Sequence, residues 1–550
     1  MSFIRTLFPF FTKSKEVYLD TAATSQRLGS SLLAMNEYYE NFNANVHRGN
    51  YASAIKASNE YESARQTIAE FIGAQSASQI VFTSGATEAL NLVANGVNIN
   101  DLHGNVILLC ESEHHANLLP WQAFALRHKL ILKRISLGKN GVFTDIELEQ
   151  ALNSISEDVA VLAIAHVSNA LGNIYPVKQL CKKASQVNAL TVIDGTQAAA
   201  HIPIDVRSIN CDFYCFSGHK MYAGTGIGVL FGKMKWLEKL SPSKLGGEMI
   251  TQVSWDNYQL QPPPTKFEAG TPNIAGALSL VSAIHFIKQN FIQIQTNEHE
   301  LTHYILAQLM PLVDANKLIL LGNVSIGSHN TISLVSFYVP NMHANDVAMH
   351  MATQNIAVRA GHHCAMPLMQ SLNIDGCVRV SMGCYTSKGD VDSFMDALSS
   401  LFSSCHEYDV DIKTSEQTTI NKPTSSAIET ALKEAGDWNS KHRLLLLHSK
   451  HLNILQENER LAEYEVAGCE AQVWLTLSAE KLSAYSNSKV VRGILAVIID
   501  KIERLPSGDE LNFDINGYLA SLGLSHYFSQ GRRDGIQQVI LRINELLQQQ

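Results

Sequence analysis

Lys220 ends the stretch Phe216-Ser217-Gly218-His219-Lys220, where an apolar run stops at an amine. A lysine amine is a nucleophile when its surroundings favour the neutral form, and a common use of such a lysine is to hold pyridoxal phosphate as an imine. Taken alone, the motif reads as a surface lysine after a strand, so its company matters. Thr83-Ser84-Gly85-Ala86-Thr87-Glu88-Ala89 follows one apolar run and opens a helical one. Free backbone N–H groups at such a turn can hold a phosphate, with Thr87 as a further hydroxyl donor; an ordinary strand-to-helix turn has the same pattern. Asp194 in Ile193-Asp194-Gly195-Thr196-Gln197 sets a carboxylate at a strand end, where it can keep a pyridine nitrogen protonated or cap a turn. Glu113-His114-His115-Ala116-Asn117 offers an imidazole for stacking and proton transfer, or a pair of ordinary core or surface histidines.

Two cysteines add thiol chemistry. Arg359-Ala360-Gly361-His362-His363-Cys364-Ala365-Met366-Pro367-Leu368 places Cys364 on a Gly-flanked loop, where histidines and Arg359 favour the thiolate. A metal site built from His362, His363, Cys364 and either Cys377 or Cys384 competes with that reading, as does an inert buried cysteine. Adjacent ligands make poor metal geometry, and no Cys-x-x-Cys accompanies them. Cys469 lies in Glu465-Val466-Ala467-Gly468-Cys469-Glu470-Ala471-Gln472-Val473-Trp474. Cys110, Cys181, Cys211, Cys215, Cys377, Cys384 and Cys405 fall in apolar segments or near domain ends and are predicted to pack. Nine cysteines in 550 residues without a pairing interval fit a reducing compartment.

The elements that position these groups are legible as alternating patterns. Ile80–Thr83, Val106–Cys110, Val159–His166, Leu190–Asp194, Phe213–Ser217 and Ile227–Phe231 read as buried strands. Helical segments at Thr87–Gly96, Leu118–His128 and Val177–Asn188 separate several of them. Strands apolar on both faces, with helices between, predict an α/β fold with a mostly parallel sheet whose ligands sit beyond the carboxyl ends of the strands. A long helix from Ala275 to Phe291 opens a smaller mixed region that runs to Leu401. Residues 406–426 are polar and read as a linker, about 25 Å long as a flexible coil. Residues 427–550 form a separate unit, with helical spacing at Ala427–Ala435, Leu444–Asn458 and Lys489–Ile502.

Hydrophobic residues make up 46% of the chain and charged ones 17%, which describes a soluble globular protein. The net charge of -9 argues against a nucleic-acid partner. No stretch approaches the roughly 20 apolar residues that span a bilayer, so no membrane partner is predicted and cytoplasmic residence is the default. The apolar start, Phe3 to Phe11, is interrupted by Arg5 and reads as an arm packed on the fold.

In chain order the phosphate turn, stacking histidine, acid and lysine resemble the class V aminotransferase family of pyridoxal phosphate fold-type I enzymes, and within it the SufS/CsdA type of cysteine desulfurase. The similarity is carried by Tyr18–Thr24, Asn45–Gly49, Thr83–Ala94, Glu113–Gln122, Ser168–Gly172, Ile193–Gln197, Phe216–Gly228 and Lys266–Asn273, and covers about Phe3 to Leu401. It implies a domain over residues 1–405 with large and small parts. It also implies that Lys220 holds the cofactor and moves the substrate's α proton, that His114 stacks on the ring and that Asp194 pairs with its nitrogen. Asn169 and Gln197 would lie near the phenolic oxygen. Thr87, Ser217 and His219 would hold the phosphate, joined by Thr271 from the partner subunit of a homodimer. Ala86 departs from the family, which often has a second threonine there. The family pattern marks Cys364 as the persulfide-forming nucleophile acting on L-cysteine, and Arg379 as the clamp on the substrate carboxylate.

The segment Glu465–Trp474, with Leu477-Ser478-Ala479, Val490–Ala496, Leu522-Gly523-Leu524 and Ser529–Gly535, resembles the SufE/CsdE sulfur acceptors over about Ala427 to Leu547. This implies that Cys469, on a loop of a small α+β domain, receives sulfur from Cys364 and delivers it to an iron-sulfur scaffold or another thiol acceptor. A selenocysteine lyase, an aminotransferase, and a C-terminal module that only docks or regulates are the competing expectations.

Overall fold

The apolar runs of the first half become seven strands in the computed structural model, which describes residues 3–548 other than 325–329, 415–424, 437, 470, 479–480, 506–512 and 525–529. Packing divides the chain into two units, one of residues 1–337, 357–374 and 379–393, the other of 338–356, 375–378 and 394–550.

In the first unit the strands are β1 (Ile80–Thr83), β2 (Val106–Cys110), β3 (Ile131–Ile135), β4 (Val159–Ala165), β5 (Leu190–Asp194), β6 (Phe213–Ser217) and β7 (Gly228–Gly232). They form one sheet in the order β1-β7-β6-β5-β4-β2-β3. β7 runs antiparallel to β1 and β6, and every other pairing is parallel. Alternate residues feed two cores: Phe82, Leu108, Ile164, Ile193 and Phe216 face one, while Val81, Ile107, Ala163, Val192 and Phe213 face the other. That double burial is why the strands read as unbroken apolar runs. β3 escapes the pattern because it is an edge strand whose first four residues are exposed, with Lys133 and Arg134 blunting the edge.

Helices α1 (Gly29–Asn41), α2 (Ala52–Phe71), α3 (Ala86–Gly96), α4 (His115–His128) and α5 (Val177–Gln186) cover the sheet, with Trp121 and Phe124 of α4 buried on one side and Leu180 and Ala184 of α5 on the other. The helix expected to end at Phe291 runs on as α6 (Ile274–Asp314), because Ile294, Leu301, Ile305 and Leu309 continue the buried stripe, with Pro311 only in its last turn. A second sheet takes the order β8-β9-β11-β10 from β8 (Ile319–Leu321), β9 (Leu334–Tyr338), β10 (Arg359–Gly361) and β11 (Cys377–Ser381). The N-terminal arm does pack on the fold: Phe8 is fully buried, with edge contacts to Tyr222, Phe286 and Tyr385.

The second unit has its own core. It includes α7 (Ala344–Thr353), most of α8 beyond Ser393 (α8 spans Lys388–Thr414), α9 (Ser425–Glu434), α10 (Trp438–His448), an antiparallel pair of β12 (Val473–Ser478) and β13 (Lys481–Ser486), α11 (Lys489–Ile502) and α12 (Gln530–Gln548). Leu475, Ala484, Ile494, Ile498 and Ile543 are buried together. The carboxylate of Asp346 on α7 accepts hydrogen bonds from the Ser488 hydroxyl at 2.8 Å and the Lys489 N–H at 2.9 Å, and so caps α11. The linker expected at 406–426 is helical as far as Thr414, since nothing from His406 to Thr414 is a Gly or Pro that would stop α8. The rest of it, residues 415–424, lies outside the described residues.

Candidate active site

The carboxyl ends of β4, β5 and β6 bring the first group of residues together. Asp194 closes β5 in register with Ala165 and Cys215, and its Oδ1 accepts the Thr196 N–H at 2.9 Å. After β6, a single 3-10 turn, Gly218–Lys220, follows Ser217. Burial and the nearby Arg379 guanidinium push the Lys220 amine down to about 8, against the opposing pull of Asp194 and Cys364. A lysine that loses its proton this readily meets the condition for a nucleophile or a base.

The turn after β1 presses flat against β7. A Cβ on Gly228 would sit 2.4 Å from the Gly85 Cα, so only glycine permits the approach. At the start of α3 the Ala86 N–H donates to the Ser217 Oγ at 2.8 Å. That amide is therefore engaged within the protein, while the Ser217 hydroxyl keeps a hydrogen to donate, and Thr87 stands exposed beside it. His219 meets the Thr24 hydroxyl through Nδ1 at 3.2 Å; burial, Lys220 and Arg27 push its imidazole down to about 4.

His114 is the N-cap of α4, its Nδ1 accepting the Ala116 N–H at 3.0 Å. Burial and Lys220 push it down to about 4, so the ring is neutral and carries its proton on Nε2. Next to it, the His115 N–H donates to the Cys364 carbonyl at 2.8 Å, and the His115 Nε2 accepts the Met366 N–H at 3.3 Å. The thiol loop is thus clasped to the first turn of α4. Cys364 is exposed, and both it and His363 hold positive φ, 57° and 52°, a conformation that costs energy in non-glycine residues. Asn169 donates through Nδ2 to the His363 carbonyl at 2.7 Å, and Gln197 through Nε2 to the Ala22 carbonyl at 2.8 Å. Arg379 is buried and donates to the Asn169 carbonyl at 2.8 Å and to Asp20 at 3.1 Å.

Four positioning groups have no counterpart in the sequence reading. Asp20 holds Arg379 and Arg359 at once. His115 holds the thiol loop. Glu113 is buried beneath His114, accepting the Ala165 N–H at 2.9 Å and the Asn117 amide at 2.7 Å; burial raises its carboxyl to about 8. Arg65 forms a buried pair with Glu268 at 2.6 Å, and Glu268 also accepts the Phe82 N–H at 2.7 Å, which fixes the chain leading to the exposed Thr271. Asp20 and Glu268 sit inside motifs whose text is visible, yet their partners are distant in sequence. The packing expectation holds for Cys110, Cys181, Cys211, Cys215, Cys377 and Cys384, all buried; the Cys405 side chain lies outside the described residues. Among the described residues, no three His, Cys, Asp or Glu side chains gather as a metal site.

In the second unit Cys469 is half-buried against the apolar core and donates its S–H to the Gly535 carbonyl at 3.3 Å. Burial pushes this thiol up to about 11. In this seat it is a thiol, not a thiolate.

The donor set fits pyridoxal phosphate. It supplies a primary amine with a lowered pKa, a carboxylate fixed at a strand end and a Ser217 hydroxyl with hydrogen to donate. The Thr196 hydroxyl next to Asp194 is also buried with no partner among the described residues. Sheet order and site together define a fold-type I α/β enzyme. The aminotransferase class-V model matches residues 17–394, and the Fe-S metabolism associated domain, SufE, matches 426–547. The chain belongs to the aminotransferase class-V family, in its cysteine desulfurase branch, and carries a fused SufE domain. A relative named "Probable cysteine desulfurase" from Halalkalibacterium halodurans is 41% identical over 401 residues, covering 72% of this chain and 96% of the relative. Among solved structures, the apo cysteine desulfurase from Thermococcus onnurineus NA1 aligns with a TM-score of 0.67 at 38% identity, covering 72% of this chain and 97% of that one. The cysteine desulfurase CsdA (S-sulfonic acid) from Escherichia coli aligns with a TM-score of 0.65 at 33% identity, with the same coverage.

Proposed function

We propose that this protein removes sulfur from L-cysteine, leaving L-alanine and a persulfide on Cys364, and passes that sulfur to Cys469. The observation that supports this most directly is the exposed Cys364 thiol on a loop clasped by His115, in the same unit as Lys220, His114 and Arg379.

When bound, pyridoxal phosphate supplies an electron sink for the substrate α-carbon. Lys220, Asp194, Ser217, Thr87, His219, Gln197, Asn169 and His114 are the residues that would hold it, with Thr271 reaching it from the partner subunit of a homodimer. Arg379 takes the substrate carboxylate through paired N–H groups. Lys220 takes the α proton at Nζ, which its lowered pKa permits near neutral pH. The Cys364 thiolate attacks the substrate sulfur: the new S–S bond forms, the C–S bond breaks, and the carbon that keeps the electron pair takes up a proton to become the alanine methyl group. Cys469 then leaves its seat on Gly535, gives up its proton to solvent and attacks as a thiolate the outer sulfur of the persulfide, releasing Cys364 as a thiolate. Tethering raises the effective concentration of acceptor at donor. The downstream acceptor is an iron-sulfur scaffold or another thiol carrier, and the setting is the cytoplasm. No helix among the described residues is long and apolar enough to cross a membrane.

Mass spectrometry of the purified protein after L-cysteine addition tests the relay, with an added sulfur expected on Cys364 and then on Cys469. If Cys364→Ala releases sulfide at the parental rate, the desulfurase reading fails. If Cys469→Ser delivers sulfur to an external thiol as fast as the parent, the relay fails while the desulfurase stands. Comparing rates on L-cysteine and L-selenocysteine separates this reading from a selenocysteine lyase, and the visible absorbance lost in Lys220→Ala reports the cofactor.

A further inference from the structure

Asp20 follows the short strand Val17–Tyr18, between Leu19 and Thr21, and the Thr21 N–H donates to the Ser381 carbonyl at 3.3 Å. The Leu19 N–H donates to the Ala357 carbonyl at 2.9 Å, and the Ser381 N–H donates to the Leu19 carbonyl at 2.8 Å. This places the Asp20 carboxylate between two arginines that are 20 residues apart in the chain, Arg359 on β10 and Arg379 on β11. Its Oδ1 accepts from the Arg379 Nη2 at 3.1 Å, and its Oδ2 accepts from the Arg359 Nε at 3.1 Å and Nη2 at 3.0 Å. Arg379 is 3% exposed and Asp20 14%, whereas Arg359 is 51% exposed. One carboxylate thus serves two guanidinium groups. The group keeps one net positive charge, and its most buried member points one of its N–H groups at Asp20.

The two arginines belong to different tasks. Arg379 lies beside Asn169 and is close enough to Lys220 to lower that amine. Arg359 begins the strand that leads through Gly361 to the thiol of Cys364, five residues on. A carboxylate arriving at Arg379 seeks two parallel N–H groups, and one hydrogen of Nη2 is already donated to Asp20. The substrate carboxylate and Asp20 would thus share one guanidinium, and their like charges oppose each other there.

We propose that Asp20 is a positioning residue shared by the carboxylate clamp and the thiol strand. The substrate carboxylate takes Arg379 from Asp20, and the released Asp20 then pairs wholly with Arg359. Substrate binding in one place steadies the strand that presents Cys364 in another. The proposal rests on the reading of Arg379 as the carboxylate clamp.

The test uses the cofactor-loaded full-length protein, with L-alanine as the probe and L-cysteine as the substrate. In the parent, L-alanine slows backbone hydrogen exchange over residues 359–366. Asp20→Asn removes the competing charge while keeping the shape. It is expected to bind L-alanine and L-cysteine more tightly, by about tenfold, the low end of the scale of one charge-assisted interaction that no longer opposes the substrate. In the same variant kcat falls and L-alanine no longer slows exchange over 359–366. A residue that merely held the fold together would weaken binding and kcat together. Arg359→Gln is the second variant, expected to lose the exchange response while binding L-alanine as the parent does. The proposal is overturned if Asp20→Asn binds L-alanine no more tightly than the parent, or if either variant keeps the parental exchange response. Arg379→Ala separates the two levels: undiminished L-alanine binding in that variant overturns the clamp reading itself, whereas lost binding there with parental behaviour in Asp20→Asn overturns the Asp20 proposal alone.

Discussion

The His115 N–H and the Cys364 carbonyl oxygen lie 2.8 Å apart, and the His115 side chain takes the Met366 N–H at 3.3 Å on the same loop. The residue before His115 is His114, the N-cap of α4. A single helix start therefore sets the imidazole predicted to stack on the cofactor and the loop that carries Cys364.

His115→Ala removes the side-chain half of this clasp. One hydrogen bond of this kind is worth about 1 kcal/mol, so alkylation of Cys364 by iodoacetamide should speed up about fivefold. The cofactor absorbance should be retained, because Lys220, Asp194 and His114 keep their own contacts. Alkylation followed by peptide mass spectrometry measures the rate.

Glu113 gives the fold a pH dependence with a definite sign. Its carboxyl is raised from 4.5 to about 8 by burial, so between those values the folded state holds a proton that the unfolded state has lost. The stability it contributes is complete below 4.5 and is lost as pH rises toward 8, with a slope of at most about 1.4 kcal/mol per pH unit. Glu113→Gln should abolish this slope. His114, His166 and His219, each lowered to about 4, act in the opposite sense, costing stability as pH falls below 6.5. Urea midpoints of variant and parent from pH 5 to 8 isolate the carboxyl, because the histidine contribution is common to both.

The Arg65–Glu268 pair is buried on both sides, with side chains 3% and 8% exposed. Removing one partner leaves a buried charge, so Arg65→Met should cost about 3–5 kcal/mol in urea unfolding. Exchange of the backbone from Ala269 to Asn273 should rise with it, since Glu268 fixes the start of that segment.

Gly535 supplies the carbonyl that seats the Cys469 thiol, and a Cβ there would lie 3.4 Å from the sulfur and 3.3 Å from the Cys469 Cα. Gly535→Ala should crowd the thiol off its seat and move its pKa down from about 11, seen as faster alkylation at pH 8. Global stability should change by less than about 1 kcal/mol, because alanine's better helix propensity offsets the crowding. Unchanged Cys469 alkylation would show that burial by Gly535 does not hold the thiol in check.

What the sequence determined by itself is local or periodic. Six strands of the main sheet were legible because both faces are buried, which forces continuous apolar runs. The turn at Thr83–Thr87, Asp194 and Lys220 could be placed at strand ends because each follows such a run within a few residues. β3 was not legible, since an edge strand with exposed Lys133 and Arg134 carries no such run. The far end of α6 and the helical part of the expected linker were missed because composition changed while the backbone stayed helical, in α6 past Pro311 as well. Tertiary structure alone decided which groups meet. Asp20 reaches Arg359 across 339 residues, His115 reaches Met366 across 251, and Cys469 reaches Gly535 across 66. Hydrogen bonds and charge pairs at such separations leave no period in the chain. The exposed thiol of Cys364 and the half-buried one of Cys469 therefore differ by what packs around them, which neither motif spells out.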